Sequence, residues 1–165
     1  MISRSTSDAD VDVVSQLLGR HPSGAFSVAL RRSSGAPVVI ENAPHLHDGT
    51  PMPTLYWLVD PSLHDQVSRL ESVGGVHHYE DEVDPESLLR AHDEYRRRRE
   101  SRVERHDLPQ PSGGIGGTRV GVKCLHAHLA AFLCGIDDPV GGLVAAQIDL
   151  GVIVTDPLWE KEDQA

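Results

Sequence analysis

Lys123-Cys124-Leu125-His126-Ala127-His128 places an ammonium, a thiol and two imidazoles within one short stretch. Three chemistries can use that set. Thiolate and imidazole together suit zinc. The preceding Gly113-Gly114-Ile115-Gly116-Gly117 offers backbone N–H groups to an anion where a helix opens, and Lys123 adds positive charge. A cysteine beside a helix start and two histidines is also a candidate nucleophile, with a lowered thiol pKa. The stretch is not a nucleotide P-loop, because Lys123 follows Val122 and precedes Cys124 where that motif needs Gly-Lys-Ser/Thr.

Helical geometry sorts the donors. On a helix running from Val122 to Cys134, at about 100° per residue, Cys124 and His128 sit about 40° apart and His126 lies about 160° from Cys124. Cys124 and His128 are therefore the expected metal pair, with further ligands drawn from elsewhere, for instance His45, His47 or Asp48. The bland alternative leaves Cys124 and His128 at the edge of the core, each satisfied locally.

The second unusual segment is His45-Leu46-His47-Asp48-Gly49-Thr50-Pro51-Met52-Pro53-Thr54. Asp48-Gly49 reads as a tight turn and Thr50 can bond locally. Asp48, Thr50 and Thr54 are expected to meet Lys123, Cys124, His126 and His128 in one anion-favouring pocket. The competing reading is a rigid proline-set connection. His77-His78 reads as a pair at a strand edge. Arg96-Arg97-Arg98-Arg99, with Arg102 and Arg105, fans around a helix among Glu94, Glu100 and Glu104, and is expected to be a solvated face.

The elements that must position these residues follow from periodicity. Asp8 or Asp10 caps a first helix through Leu18, closed by Gly19. Strands are expected at Ala25–Arg31, Val38–Ile40 and Thr54–Val59, joined by a turn at Ser33-Ser34-Gly35 and the loop Asn42–Pro53. Asp60-Pro61 opens a helix with Leu63, Val67, Leu70 and Val73 on its buried stripe, stopped by Gly74-Gly75. Val76–Glu80 is expected to be a short strand. Asp84-Pro85 opens a helix to Arg105, Leu108–Gly121 is a loop, and Asp138-Pro139 opens a last helix toward Leu150. The expected fold is α+β: a small antiparallel three-stranded meander packed against about five helices. Residues 1–7 are expected to be disordered, 8–155 to form a single domain and 156–165 a mobile tail.

Composition narrows the classes. The chain has 165 residues with a formal net charge of −10, which disfavours nucleic acid or an anionic membrane as partner. No apolar run approaches the roughly 20 residues of a membrane span. Met1–Asp12 is polar and acidic, unlike a secretory signal, so a cytoplasmic location is expected. Cys124 and Cys134 would lie about 15 Å apart on one helix, too far for a disulfide, which agrees with a reducing compartment.

Pro44-x-Leu46-x-Asp48-Gly49-Thr50-Pro51-x-Pro53-Thr54-Leu55-Tyr56-Trp57-Leu58, with Leu18-Gly19-Arg20, Lys123-Cys124-Leu125-His126-x-His128 and Asp138-Pro139-Val140-Gly141, resembles the bacterial, mainly actinobacterial, "domain of unknown function 501" family over about Asp8–Gly141. The resemblance implies no established activity. Relatives often carry cysteines in the turn matching Arg32–Ser34 and before the proline matching Pro61, where this chain has Arg32, Ser34 and Asp60. They often carry Arg and Phe where it has His45 and Met52.

The expected function is that of a small binding or accessory protein with a small anionic ligand or a protein partner. The alternative is a hydrolase using Cys124 as a thiol, or a Cys124/His128 metal site with zinc as the ion.

Overall fold

The computed structural model describes residues 6–159. Among them are six α-helices, one 3-10 turn and four strands. In chain order these are α1 (Asp8–Leu18), β1 (Phe26–Arg31), β2 (Pro37–Asn42), β3 (Tyr56–Leu58), α2 (Pro61–Ser72), α3 (Gly75–Glu82), α4 (Pro85–Ser101), the 3-10 turn (Ile115–Gly117), α5 (Leu125–Leu133), α6 (Pro139–Gln147) and β4 (Val154–Thr155).

The strands form one sheet in the order β3-β2-β1-β4, antiparallel throughout. The expected three-stranded meander is present, and β4 extends it by pairing Thr155 with Leu30 and Val154 with Arg31. Two paired residues are too few to leave a periodic signal in sequence.

Side-chain alternation gives the sheet two covered faces. Along β3, Tyr56 and Leu58 join the larger core while Trp57 between them turns to the smaller one. The larger core also takes Leu63 and Val67 of α2, Tyr95 of α4, and Leu125, Leu129 and Ala130 of α5. The smaller holds Val14 of α1 against Phe26, Val28, Ile40 and Val59.

Three helix starts behave as read. Asp60, Asp84 and Asp138 each cap the helix that follows, with proline in the first turn. Helix α1 is capped instead by Ser7, whose hydroxyl accepts the Asp10 N–H at 3.1 Å, and Asp10 pairs with Arg31 at 2.8 Å. Thr6 and Ser7 are therefore bonded residues, while Met1–Ser5 of the expected disordered segment lie outside the described residues.

The expected strand at Val76–Glu80 is helix α3. Its apolar residues Val76 and Tyr79 stand three apart, as on one helix face, and His78 pairs with Glu82 at 3.0 Å across one turn. The two glycines allow the sharp corner from α2: Gly74 has φ +83°, and a Cβ on Gly75 would lie 2.4 Å from the Leu70 carbonyl oxygen. Helix α4 ends at Ser101 rather than Arg105, and α6 at Gln147, where Ile148 turns extended.

The chain beyond Asp156 is docked at least to Trp159, which is 6% exposed. Its indole N–H donates to Glu41 Oε2 at 2.6 Å, and its ring meets Tyr56 edge-on at 6.4 Å between centroids. The remainder of the expected tail lies outside the described residues. No helix among the described residues is long and apolar enough to cross a membrane.

Candidate functional site

The start of α5 is seated by two carboxylates from neighbouring helices. Glu80 of α3 accepts the Val122 N–H at 2.6 Å, and Glu71 of α2 accepts the Leu125 N–H at 2.8 Å. Negative charge at a helix N-terminus is favourable for the unpaired N–H groups and the dipole. This seating fixes where the helix begins. Cys124 is its extended N-cap (φ −148°, ψ 120°), and helical backbone starts only at Leu125.

That shift of the helix start changes which donors meet. The expected Cys124/His128 pair does not form. With Cys124 off the helical path, its sulfur lies 3.7 Å from His126 Nδ1. The same nitrogen is 3.3 Å from Glu71 Oε1. Glu71, Cys124 and His126 bring sulfur, nitrogen and oxygen within 4.8 Å of one another, all at partly exposed side chains. The far ring nitrogen, Nε2, sits 3.1 Å from both Ser68 Oγ and the His64 carbonyl oxygen. The His64 ring packs on the His126 ring at 4.4 Å between centroids. Burial alone would depress the His126 imidazole, but the Cys124 sulfur and Glu71 carboxylate outweigh it and raise its pKa above the ordinary value.

His128 faces the other way, into the larger core, and is fully buried. Its Nδ1 bonds Asp138 Oδ2 at 2.7 Å. Asp138 Oδ1 accepts the N–H groups of Val140 and Gly141 at 3.0 and 3.1 Å, so one carboxylate caps α6 and holds α5. Gly141 is required at that crossing, because a Cβ there would stand 2.4 Å from the His128 carbonyl oxygen. His128 thus has a buried partner at Nδ1, while its buried Nε2 has no hydrogen-bond partner among the described residues.

The Asp48–Thr54 loop is bonded to itself, to Asn42 of β2 and to Arg99 of α4. Asp48 Oδ1 accepts the Thr50 N–H at 2.9 Å, which holds the Asp48 carboxyl below its usual range. The Thr54 carbonyl accepts from Asn42 at 3.1 Å, and His45 Nε2 meets the Pro109 carbonyl at 2.8 Å. A cleft of about 870 Å³ opens beside this loop, walled by Phe26, His45, His47, Arg102, Arg105 and Leu108 among others. None of Lys123, Cys124, His126 or His128 lines it.

The glycine-rich stretch is pinned around His92. Ile115 N–H donates to His92 Nδ1 at 3.0 Å, so Nε2 carries the proton and donates to the Gly121 carbonyl at 2.9 Å. Burial lowers the His92 pKa. Gly114 leaves room for that ring: a Cβ there would stand 2.5 Å from Nδ1. Lys123 is exposed.

The arginine run divides. Arg96 and Arg97 pair with Asp93, Glu94 and Glu100 on the exposed face, as expected. Arg98 caps the end of α5 through the Cys134 carbonyl at 2.7 Å. Arg99 is fully buried and donates to the Pro53 and Gly113 carbonyls at 2.8 Å each, tying the two loops together. Arg102 pairs with buried Glu41 at 3.0 Å.

Glu71 is the site residue the sequence does not disclose. It lies far along the chain from Cys124, on the polar flank of the Leu63/Val67/Leu70 stripe. The nearest hint is that His64, Ser68 and Glu71 share one helix face.

A family profile described as a protein of unknown function, DUF501, matches residues 28–146, most of the chain. The chain belongs to the DUF501 family. No curated protein matches it, and no solved structure does. In this DUF501 chain, two positions where the resemblance implied thiols in relatives are joined by an ion pair. Arg32 Nε and its terminal nitrogen meet the two Asp60 oxygens at 3.0 and 2.9 Å. Asp60 caps the start of α2, whereas Glu71 stands in its last turn, so that pair is a feature apart from the Cys124 corner.

Proposed function

We propose that the protein is a small binding protein acting through the corner where α2 meets the N-cap of α5, with the Cys124 sulfur serving as a donor rather than a nucleophile. The observation that carries this reading is that Cys124 and Glu71 approach the same nitrogen of His126. A thiol–imidazole–carboxylate relay needs the acid on the ring nitrogen opposite the nucleophile. Here the opposite nitrogen is taken by Ser68 and the His64 carbonyl. Three donors converging on one point suit a bound electrophile better than a proton relay.

Mass spectrometry of the purified protein tests it, under native and denaturing conditions. The expected result is a mass excess in the native wild type that disappears on denaturation and is absent from Cys124→Ala. Equal native and denatured masses for the wild type would overturn the binding reading. An acyl adduct trapped on Cys124 during steady turnover of p-nitrophenyl acetate would establish the hydrolase alternative instead.

A further inference from the structure

Resting on the reading of this corner as a binding centre, we infer that Glu71, Cys124 and His126 hold one zinc-class divalent cation, with a fourth position left to water. The donor set is the first argument. A thiolate, an imidazole and a carboxylate are the three side-chain types that bind zinc, and the thiolate selects against magnesium and calcium. Among the described residues, this is the one group of three such donors that converges.

The spacing is the second argument. Around tetrahedral zinc, with bonds of about 2.3 Å to sulfur and about 2.0–2.1 Å to nitrogen or oxygen, sulfur and nitrogen ligands stand about 3.5 Å apart and nitrogen and oxygen ligands about 3.3 Å apart. The observed separations are 3.7 Å for Cys124 Sγ to His126 Nδ1 and 3.3 Å for His126 Nδ1 to Glu71 Oε1. Two of the three separations thus match tetrahedral zinc, and the third, between the Cys124 sulfur and the Glu71 carboxylate, lies within 4.8 Å.

The third argument is the outer support of each ligand. A zinc-bound imidazole characteristically donates its other N–H to a carbonyl or hydroxyl oxygen. His126 Nε2 sits 3.1 Å from both the His64 carbonyl oxygen and Ser68 Oγ, which directs the Nδ1 lone pair toward Cys124 and Glu71. Glu71 is steadied by the Leu125 N–H and Cys124 by its N-cap backbone. Three protein ligands at a partly exposed corner leave room for a water, as in sites where the ion binds a further ligand.

Titration of the full chain, first stripped of bound metal with a chelator and dialysed, with CoCl2, then competition with ZnCl2, tests this. The expected result is one equivalent of cobalt with a thiolate charge-transfer band and the strong visible bands of four-coordination, displaced by zinc. Cys124→Ala should lose the charge-transfer band. Glu71→Gln, which can still accept the Leu125 N–H, should weaken binding at least about tenfold. Ser68→Ala should retain the band while weakening binding about 10–100-fold. Asp48→Ala should change nothing. Circular dichroism establishes that each variant is folded. A wild type that shows the native mass excess but no charge-transfer band, or that binds cobalt no better than folded Cys124→Ala, would overturn the metal assignment and leave the binding reading intact. Absence of both the mass excess and cobalt binding would remove both.

Discussion

Glu71 Oε1 stands 3.3 Å from His126 Nδ1 while accepting the Leu125 N–H at 2.8 Å. One carboxylate oxygen therefore both completes the donor cluster and seats the helix that carries it. The consequence is that the site exists only when α2 and α5 are docked, so an ion bound there adds its binding free energy to the folded state. Asp138 divides a similar pair of roles between its two oxygens, Oδ1 capping α6 and Oδ2 gripping His128 of α5.

Asp138 should therefore matter more than an ordinary helix cap. Asp138→Ala removes the cap, worth about 1 kcal/mol, and strands the buried His128 N–H, worth about 1–3 kcal/mol more. Denaturant unfolding should show a loss of about 2–4 kcal/mol. Asp138→Asn keeps an oxygen for the cap and should lose less. A near-neutral Asp138→Ala would contradict the buried pairing.

Arg99 is expected to be a strut between loops. Arg99→Ala removes two hydrogen bonds from a fully buried guanidinium and leaves the Pro53 and Gly113 carbonyls without donors. A loss of about 3 kcal/mol or more is expected, with a cavity adding to it. Hydrogen exchange should quicken in both residues 44–54 and residues 112–118. Faster exchange in only one of the two would contradict the tie.

The Arg32–Asp60 pair makes stability depend on acidity. Burial alone would raise the Asp60 carboxyl, but the Arg32 guanidinium and the Leu63 N–H outweigh it and hold it below its ordinary value. A depressed folded-state pKa stabilises the protein above the unfolded value of about 3.9 and loses that contribution as pH falls through the folded value. Wild type should exceed Arg32→Gln in stability at neutral pH, and the gap should narrow below about pH 4. A gap constant with pH would show that the guanidinium acts through packing alone.

Local signals carried much of the fold. Asp-Pro pairs marked three helix starts, and β-branched and aromatic runs marked three strands. At the candidate site the deciding contact was distant. Helix α5 begins at Leu125 because Glu71 and Glu80 seat it there, and neither is near it in sequence. A helix drawn from Val122 paired Cys124 with His128, whereas the N-cap geometry pairs it with His126. The Lys-Cys-Leu-His-Ala-His stretch was legible as the place to look; its ligand partner on α2 was not. Val76–Glu80 was misread because a short apolar pattern after two glycines fits strand and helix alike.

The most direct test of the account is X-ray absorption at the zinc edge of the zinc-loaded full chain. The account predicts one sulfur at about 2.3 Å and three nitrogen or oxygen neighbours at about 2.0–2.1 Å, with the sulfur lost in Cys124→Ala. A first shell with no sulfur, or one unchanged by that substitution, would contradict it.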